Sequence, residues 1–338
     1  MKKPKAFKKN IKERMKEQKK YYSKEDVFLS RMASITRIPK GTVASMFKER
    51  AVTTIRFNTL KDNAENIYKR VRSQGIFLVE VPWISNTYII PNNDKSELGK
   101  LPEYNEGLFY IQNLSSMLPP LILNPKEKDK VLDMCAAPGS KTLLLADMMR
   151  NKGKIVANDV DAWRIGKLKE IITMFGIKNC EVTSEDGTGF GKREAERFDR
   201  ILLDAPCSGE GMIYLASPAA LRFWNIKKVK AEVNIQKNLI ISAFNALKKG
   251  GTLIYSTCTI EPDENEGVIT FLLSKFNNAK IEEIPLFDSQ EFNNFKKHIK
   301  RGLLSWNGKI YNKEVSKTYR VLPSGEMMGF YIAKIVKA

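Results

Sequence analysis

Three short stretches of this chain bring together residue types that could do chemistry. Cys207 lies in DAPCSGEG, Asp204 to Gly211, and Cys258 lies in YSTCTIEPDENE, Tyr255 to Glu266. Each stretch closes an apolar run with the length of a buried strand. Each cysteine is therefore expected at the carboxyl end of a strand, the face where an open α/β sheet builds its site. A lone cysteine there is more often a small core residue than a nucleophile. Two of them, one preceded by Asp-Ala-Pro and the other held between threonines, fit chemistry better. The third stretch, VLDMCAAPGSKT from Val131 to Thr142, reads as a strand, a tight turn and a helix start. Its small side chains let the backbone approach a ligand, and the helix N-terminus points free N–H groups at it.

Two aspartates suggest what that ligand is. Asp159 ends the next strand, 20 positions beyond Gly139, and Asp186, in SEDG, holds the matching place after the strand that follows. Doubly wound nucleotide-binding folds put an acid there on the ribose hydroxyls. Either aspartate alone could be a helix cap or turn former. Together, after CAAPGSK, they favour an adenosine-containing cofactor, and the lack of GxGxxG weakens a dinucleotide reading.

The elements that must position these residues follow from the pattern. Strand signals recur at Val131–Met134, Lys154–Asn158, Cys180–Thr183, Arg200–Leu203 and Thr252–Ser256, each paired with a helix, and Phe330–Val336 reads as one more strand. Repeated βα units imply a mainly parallel sheet covered on both faces. Upstream, residues 23–106 alternate helical and strand-like runs and are expected to form a small α+β accessory domain, with Arg56 and Asn58 on a strand as possible RNA contacts. Residues 107–338 form the catalytic domain. Residues 1–22 carry ten Lys or Arg against two Glu and few apolar positions, the make-up of a flexible basic arm.

Composition bounds the function. The 338 residues hold 57 Lys and Arg against 38 Asp and Glu, a formal charge of +19, which favours a polyanionic partner, nucleic acid first. No apolar run approaches the ~20 residues of a spanning helix, and no secretory signal is visible, so a cytoplasmic protein without a membrane partner is expected. The four cysteines form no CxxC pair, so no zinc site or disulfide framework is expected, and no metal. The single histidine, His298, reads as a solvated surface residue. Acid/base work then falls to Asp, Glu, Cys or Lys.

Taken together, CAAPGSKT, DAPCSGEG and YSTCT-x-x-P-x-ENE resemble the signature set of the Nop/Sun family of S-adenosylmethionine-dependent RNA cytosine-5 methyltransferases. The likeness runs over roughly residues 107 to 338, and RFNTLK upstream resembles the family's N-terminal RNA-binding segment. It implies an α/β class I methyltransferase fold, a Rossmann-like seven-stranded sheet whose last strand is antiparallel. The expected substrate is structured RNA, rRNA or tRNA, and the expected form is a monomer, although sequence does not fix the oligomeric state. By motif, the backbone of Cys135, Ala136, Ala137, Pro138, Gly139, Ser140 and Lys141 would cradle the methionine end of the cofactor. Asp159 would take its ribose, Asp186 the adenine edge, and Arg164 matches the basic residue of the following helix. Asp204 would sit between cofactor and target base. Cys258 resembles the family's nucleophile, and Cys207 the cysteine that assists product release.

The implied chemistry explains these residue types. Carbon 5 of cytosine is too poor a nucleophile to take a methyl group from a sulfonium, so a thiolate first adds to carbon 6. Asp204, if protonated, could donate to ring nitrogen 3. Chemistry alone does not tell the two cysteines apart, because DNA cytosine-5 methyltransferases use the Pro-Cys position; the choice of Cys258 rests on the resemblance. Ser324 and Met328 depart from the family's His and Asp in the terminal segment. The rival readings are a non-catalytic RNA-binding assembly factor and a small-molecule methyltransferase.

Overall fold

The computed structural model describes residues 23–91 and 95–338, so the basic arm expected over 1–22 lies outside the described residues. The chain divides into two compact units: the described part of Met1–Glu49 with Ile213–Trp224, and Arg50–Met212 with Asn225–Ala338. The first unit contains helices Lys24–Thr36 and Lys40–Lys48. Ser23 caps the first by accepting from the Asp26 N–H. Phe28 packs edge-on against both Phe47 and Trp224, with ring centroids 5.0 and 5.2 Å apart, so the 213–224 loop supplies a large part of this small apolar cluster.

In the second unit a four-stranded antiparallel sheet comprises β1 (Thr53–Phe57), β2 (Val79–Glu80), β3 (Thr87–Ile90) and β4 (Phe109–Ile111), ordered β2-β3-β1-β4. Helix Ala64–Ser73 buries Ile67 and Val71 against Ile55 and Phe57 of β1. The 106/107 boundary expected in sequence crosses this sheet. β4 comes from beyond it and pairs with β1, and the sheet groups with the residues downstream rather than with 23–49. Arg56 and Asn58 also depart from expectation, because both are buried. Arg56 pairs with Asp147 at 3.1 Å, and the Asn58 amide donates to the carbonyls of Gly107 and Phe175. Their side chains tie this sheet to its neighbours and face no RNA.

The large sheet contains β5 (Lys130–Asp133), β6 (Lys154–Asn158), β7 (Cys180–Thr183), β8 (Phe198–Asp204), β9 (Leu247–Thr257), β10 (Ala279–Glu282), β11 (Ile299–Arg301), β14 (Tyr319–Val321) and β15 (Phe330–Lys337). Ser305–Trp306 (β12) and Lys309–Ile310 (β13) make a separate ribbon. Strands β7-β6-β5-β8-β9 run parallel, and β15 lies antiparallel beside β9. The other edge of β15 takes β10 along Lys334–Lys337 and β14 along Phe330–Ile332. The order β7-β6-β5-β8-β9-β15-β10 is the seven-stranded arrangement expected, and β14 with β11 extends it to nine. Its central strands are buried on both faces: Val131, Leu132, Ile155, Ala157, Leu202 and Leu253 are apolar and inaccessible.

Candidate active site

Because β5, β6, β7, β8 and β9 are parallel, their carboxyl ends share one edge of the sheet. Strand order then lays out the residues that follow them. Asp186 stands after β7, Asp159 after β6, Cys135 after β5, Asp204 and Cys207 after β8, and Cys258 after β9. One cavity of about 270 Å³ is lined by Cys135, Ala137, Asp159, Arg164, Asp186, Asp204, Cys207 and Cys258, closed on one side by Ile235 and Leu239 of helix Ile226–Ala246. Register explains the meeting of the two cysteines. Asp204 pairs with Ser256 across β8 and β9, so the loops leaving these strands start side by side, and the sulfurs end 3.1 Å apart.

The four cysteines differ in their surroundings. Burial, with the negative charges of Asp159, Asp133 and Asp204, pushes the Cys135 thiol far up, and burial pushes Cys180 up to about 12. Both keep their protons, which removes them as nucleophiles. Cys207 is also pushed well above the ordinary thiol value by its hydrogen bond with Cys258, by burial and by the nearby Cys258, Glu264 and Asp204. The two sulfurs are close enough to share one proton between them.

Asp204 accepts from the Ser256 hydroxyl at 2.7 Å and pairs with Lys141 Nζ at 2.7 Å. Ser256 and Lys141 thus hold the two oxygens of Asp204 at the mouth of the cysteine pair. Lys141 lies in the first turn of helix Ser140–Met148; its ammonium also donates to Ser116 Oγ at 2.9 Å and faces the Phe330 ring. The motif assigns the Lys141 backbone to the cofactor, and the Lys141 side chain reaches across to the cysteine half of the site. A Lys in the turn after CAAPGS carries no sign in sequence of which strand end it faces.

On the other half, Asp159 is buried and accepts from the N–H groups of Ala137 and Asp161, at 3.2 and 3.1 Å. Arg164 pairs with it at 3.2 Å and donates to the Ala137 carbonyl. Asp186 caps a short 3₁₀ turn by accepting from the Thr188 N–H. Gly139 sits at φ 114°, and an added Cβ would stand 2.9 Å from Leu168 Cδ1, so only glycine lets this turn close onto helix Ala162–Met174. Behind β5, Asp133 accepts from Thr142 Oγ1; burial raises it to about 7, and its second oxygen has no partner.

Three residues singled out in sequence lie elsewhere. His298, expected on the surface, is partly buried with Nε2 3.1 Å from Glu326. Ser324 Oγ accepts from the N–H groups of Glu326 and Met327, and the Met328 carbonyl accepts from Ser115. These two departures from the motif set thus serve a hydrogen-bonded turn. Among the described residues no group of three or more His, Cys, Asp or Glu could hold a metal ion, and no helix is long and apolar enough to cross a membrane.

A parallel sheet ordered in this way, with an antiparallel strand beside β9 and carboxylates at successive strand tips, defines a class I methyltransferase fold. The family model for 16S rRNA methyltransferase RsmB/F matches residues 120–336, and that for the N-terminal domain of 16S rRNA methyltransferase RsmF matches residues 25–114. The chain belongs to this family, the Nop/Sun group that its motifs resemble. It is 42% identical over 287 residues to a tRNA (cytosine(49)-C(5))-methyltransferase of Pyrococcus abyssi, covering 84% of this chain and 88% of that one. It is 41% identical over 290 residues to the ribosomal RNA small subunit methyltransferase F of Shewanella piezotolerans, covering 84% of this chain but only 57% of that protein's length. A solved methyltransferase homolog from Pyrococcus horikoshii superposes with a TM-score of 0.78 at 32% identity, over 94% of this chain and 96% of that one.

Proposed function

We propose that this protein methylates carbon 5 of a cytidine in structured RNA, rRNA or tRNA, using S-adenosylmethionine and a covalent adduct on Cys258. The observation that carries this reading is the pairing of Cys207 and Cys258 at 3.1 Å beside Asp204, at the edge of the sheet that also presents Asp159 and Asp186. The residues present fit the cofactor. Asp159 and Asp186 supply acceptors for a ribose diol and an amino group, at neighbouring strand tips, and the Ala136–Gly139 turn is narrow enough for close backbone approach. Arg164 now takes the Asp159 oxygens that a diol would share, and its side chain is exposed enough to move aside. When bound, the cofactor supplies the activated methyl group.

The chain's own residues do the rest. The Cys258 sulfur adds to carbon 6 of the base; the carbon 5–carbon 6 π pair moves into the ring, raising electron density at carbon 5 and charge at nitrogen 3. With the shared proton on Cys207, its S–H favours the Cys258 thiolate before attack and its departure afterwards. Lys141 and Asp204 stand where charge builds on the pyrimidine edge, Lys141 fixing the carboxylate and offsetting negative charge. After methylation a base takes the carbon 5 proton, the pair of that carbon–hydrogen bond restores the carbon 5–carbon 6 double bond, and the sulfur–carbon 6 bond breaks with its own pair going to sulfur, so that Cys258 leaves as thiolate. A water positioned by Cys207 is the proton acceptor for that step. The +19 charge matches the phosphate contacts needed to draw a nucleotide out of its stack.

The two cysteines give separate tests. Cys258→Ala is expected to abolish transfer and form no adduct. Cys207→Ala is expected to accumulate a covalent RNA–protein band on a denaturing gel. The opposite pattern would exchange the roles.

A further inference from the structure

Behind the two cysteines lies a buried cluster of four side chains that the proposed chemistry does not use. Ser208 and Glu210 come from the loop that carries Cys207; Thr259 and Glu264 come from the loop that carries Cys258. All four are buried, Glu210, Thr259 and Glu264 completely. Ser208 Oγ lies within hydrogen-bond distance of Glu210 Oε2 (2.8 Å), Glu264 Oε1 and Thr259 Oγ1 (3.1 Å), and Thr259 Oγ1 lies against Glu210 Oε2. The other Glu264 oxygen accepts from the Ser208 N–H at 2.9 Å and from Gln236 Nε2 at 2.8 Å, and Gln236 also donates to the Pro206 carbonyl.

Counting protons assigns the direction of these bonds. The two hydroxyls bring one proton each. Thr259 donates to Glu210, because its own oxygen already accepts from the Glu261 N–H at 3.1 Å. Ser208 can donate to one carboxyl only, yet both carboxyls touch its oxygen. A third proton is required. Glu264 is the group placed to hold it: Glu210 Oε2 already takes the Thr259 proton, and the Glu264 oxygen facing Ser208 has only that one hydroxyl against it, shared with Glu210, while its other oxygen is filled by two N–H donors.

We propose that Glu264 carries a proton and, through the chain Glu264 to Ser208 to Glu210, with Thr259 donating to the same Glu210 oxygen, clamps the two cysteine loops at their working separation. This deepens the function proposed above and rests on it for the meaning of that separation. Glu264, Ser208, Glu210 and Thr259 are positioning residues: none touches the sulfurs, but each is one to three positions, or in Glu264's case one loop turn, from Cys207 or Cys258. Burial raises Glu264 to about 8, with Glu210 adding to it, in keeping with the proton count. The titratable groups facing it are Glu210 and Cys207 from the loop after β8 and Tyr255 from β9; Gln236 is the neutral group from the helix. Loss of the proton would set two carboxylates against one hydroxyl and push the loops apart.

The test compares Glu264→Gln, whose amide N–H can replace the missing proton, with Glu264→Ala and Ser208→Ala, which break the chain. Two readouts are needed: methyl transfer across pH, and the rate at which diamide, a thiol oxidant, joins Cys207 to Cys258, followed by mass of the linked peptides. The second does not depend on catalysis, so it reads the clamp even if the catalytic assignment fails. A clamp that sets alignment to within an ångström predicts that Glu264→Ala and Ser208→Ala each slow both readouts about tenfold or more, whereas Glu264→Gln stays within about threefold. Wild-type turnover should fall above about pH 8 and Glu264→Gln should not. Should Glu264→Gln lose as much as Glu264→Ala, the proton is not what matters; if both alanine variants crosslink at the wild-type rate, there is no clamp. Either result overturns the proposal.

Discussion

Replacing Gly211 by alanine tests how tightly the cysteine loops must be held. Gly211 packs against the backbone just before β15, and an added Cβ would stand 2.0 Å from the Gly329 carbonyl oxygen, where real contacts stay above 3.0 Å. One of the two segments must therefore retreat by about an ångström, and neither is a flexible side chain. The retreat stretches two backbone bonds, Gly211 N–H to the Cys258 carbonyl at 3.0 Å and Gly329 N–H to the Gly211 carbonyl at 2.9 Å. Two lost hydrogen bonds at ~1 kcal/mol each and an overpacking cost of ~1–3 kcal/mol give a destabilisation of roughly 3–5 kcal/mol. Since Cys258 moves with its carbonyl, a shift of about 1 Å should also lower the rate of methyl transfer about 10²-fold. Urea unfolding gives the first quantity, and single-turnover transfer to an RNA transcript well below the unfolding midpoint gives the second. If Gly211→Ala were within about 1 kcal/mol of wild type and within about threefold in rate, the close approach would not control the site.

Other substitutions follow from the same geometry. Lys141→Met removes the cation paired with Asp204 and should lower kcat by about 10²-fold while RNA affinity, read by filter binding, changes only a few-fold, because one phosphate contact at most is lost. Equal losses in both would contradict a role at the reacting base. Asp147→Ala leaves the buried Arg56 guanidinium, whose pKa burial already lowers, without its carboxylate, and should cost about 3–5 kcal/mol in urea unfolding. Stability should also depend on pH. Burial raises Glu264 from 4.5 to about 8 and Asp133 from 3.8 to about 7, so between those values the folded state binds protons that the unfolded chain has released. Stability from these two groups therefore falls as pH rises from about 5 to about 8, and the fall should shrink in Glu264→Gln; parallel curves for the two proteins would refute the assignment.

The parts of the molecule that were legible in sequence are those fixed by local pattern. Val131–Met134, Lys154–Asn158 and Cys180–Thr183 are stretches of strand length carrying apolar or β-branched residues between helical segments, and they form β5, β6 and β7 within a residue or so. The meeting of Asp159, Asp186, Asp204, Cys207 and Cys258 in one cavity followed from parallel strand order alone. What was not legible depends on contacts between distant segments. Phe109–Ile111 reads as the approach to a helix and becomes a strand only because β1 offers it an open edge. β10, β11 and β14 are short and mixed in polarity; β10 and β14 form along the long free edge of β15, and β11 forms on β14. Arg56, Asn58, Glu210 and Glu264 are polar residues whose burial is set by long-range packing, so the first two read in sequence as either a solvated strand face or RNA contacts, and the last two carry no separate role there.

The central claim is that Cys258 and its neighbours methylate carbon 5 of an RNA cytidine. The direct measurement incubates the protein with labelled S-adenosylmethionine and unmodified tRNA and rRNA, digests the RNA, and identifies the labelled nucleoside by mass spectrometry. The account predicts label in 5-methylcytidine, absent with Cys258→Ala. Label in another nucleoside, or 5-methylcytidine formed undiminished by Cys258→Ala, would contradict it.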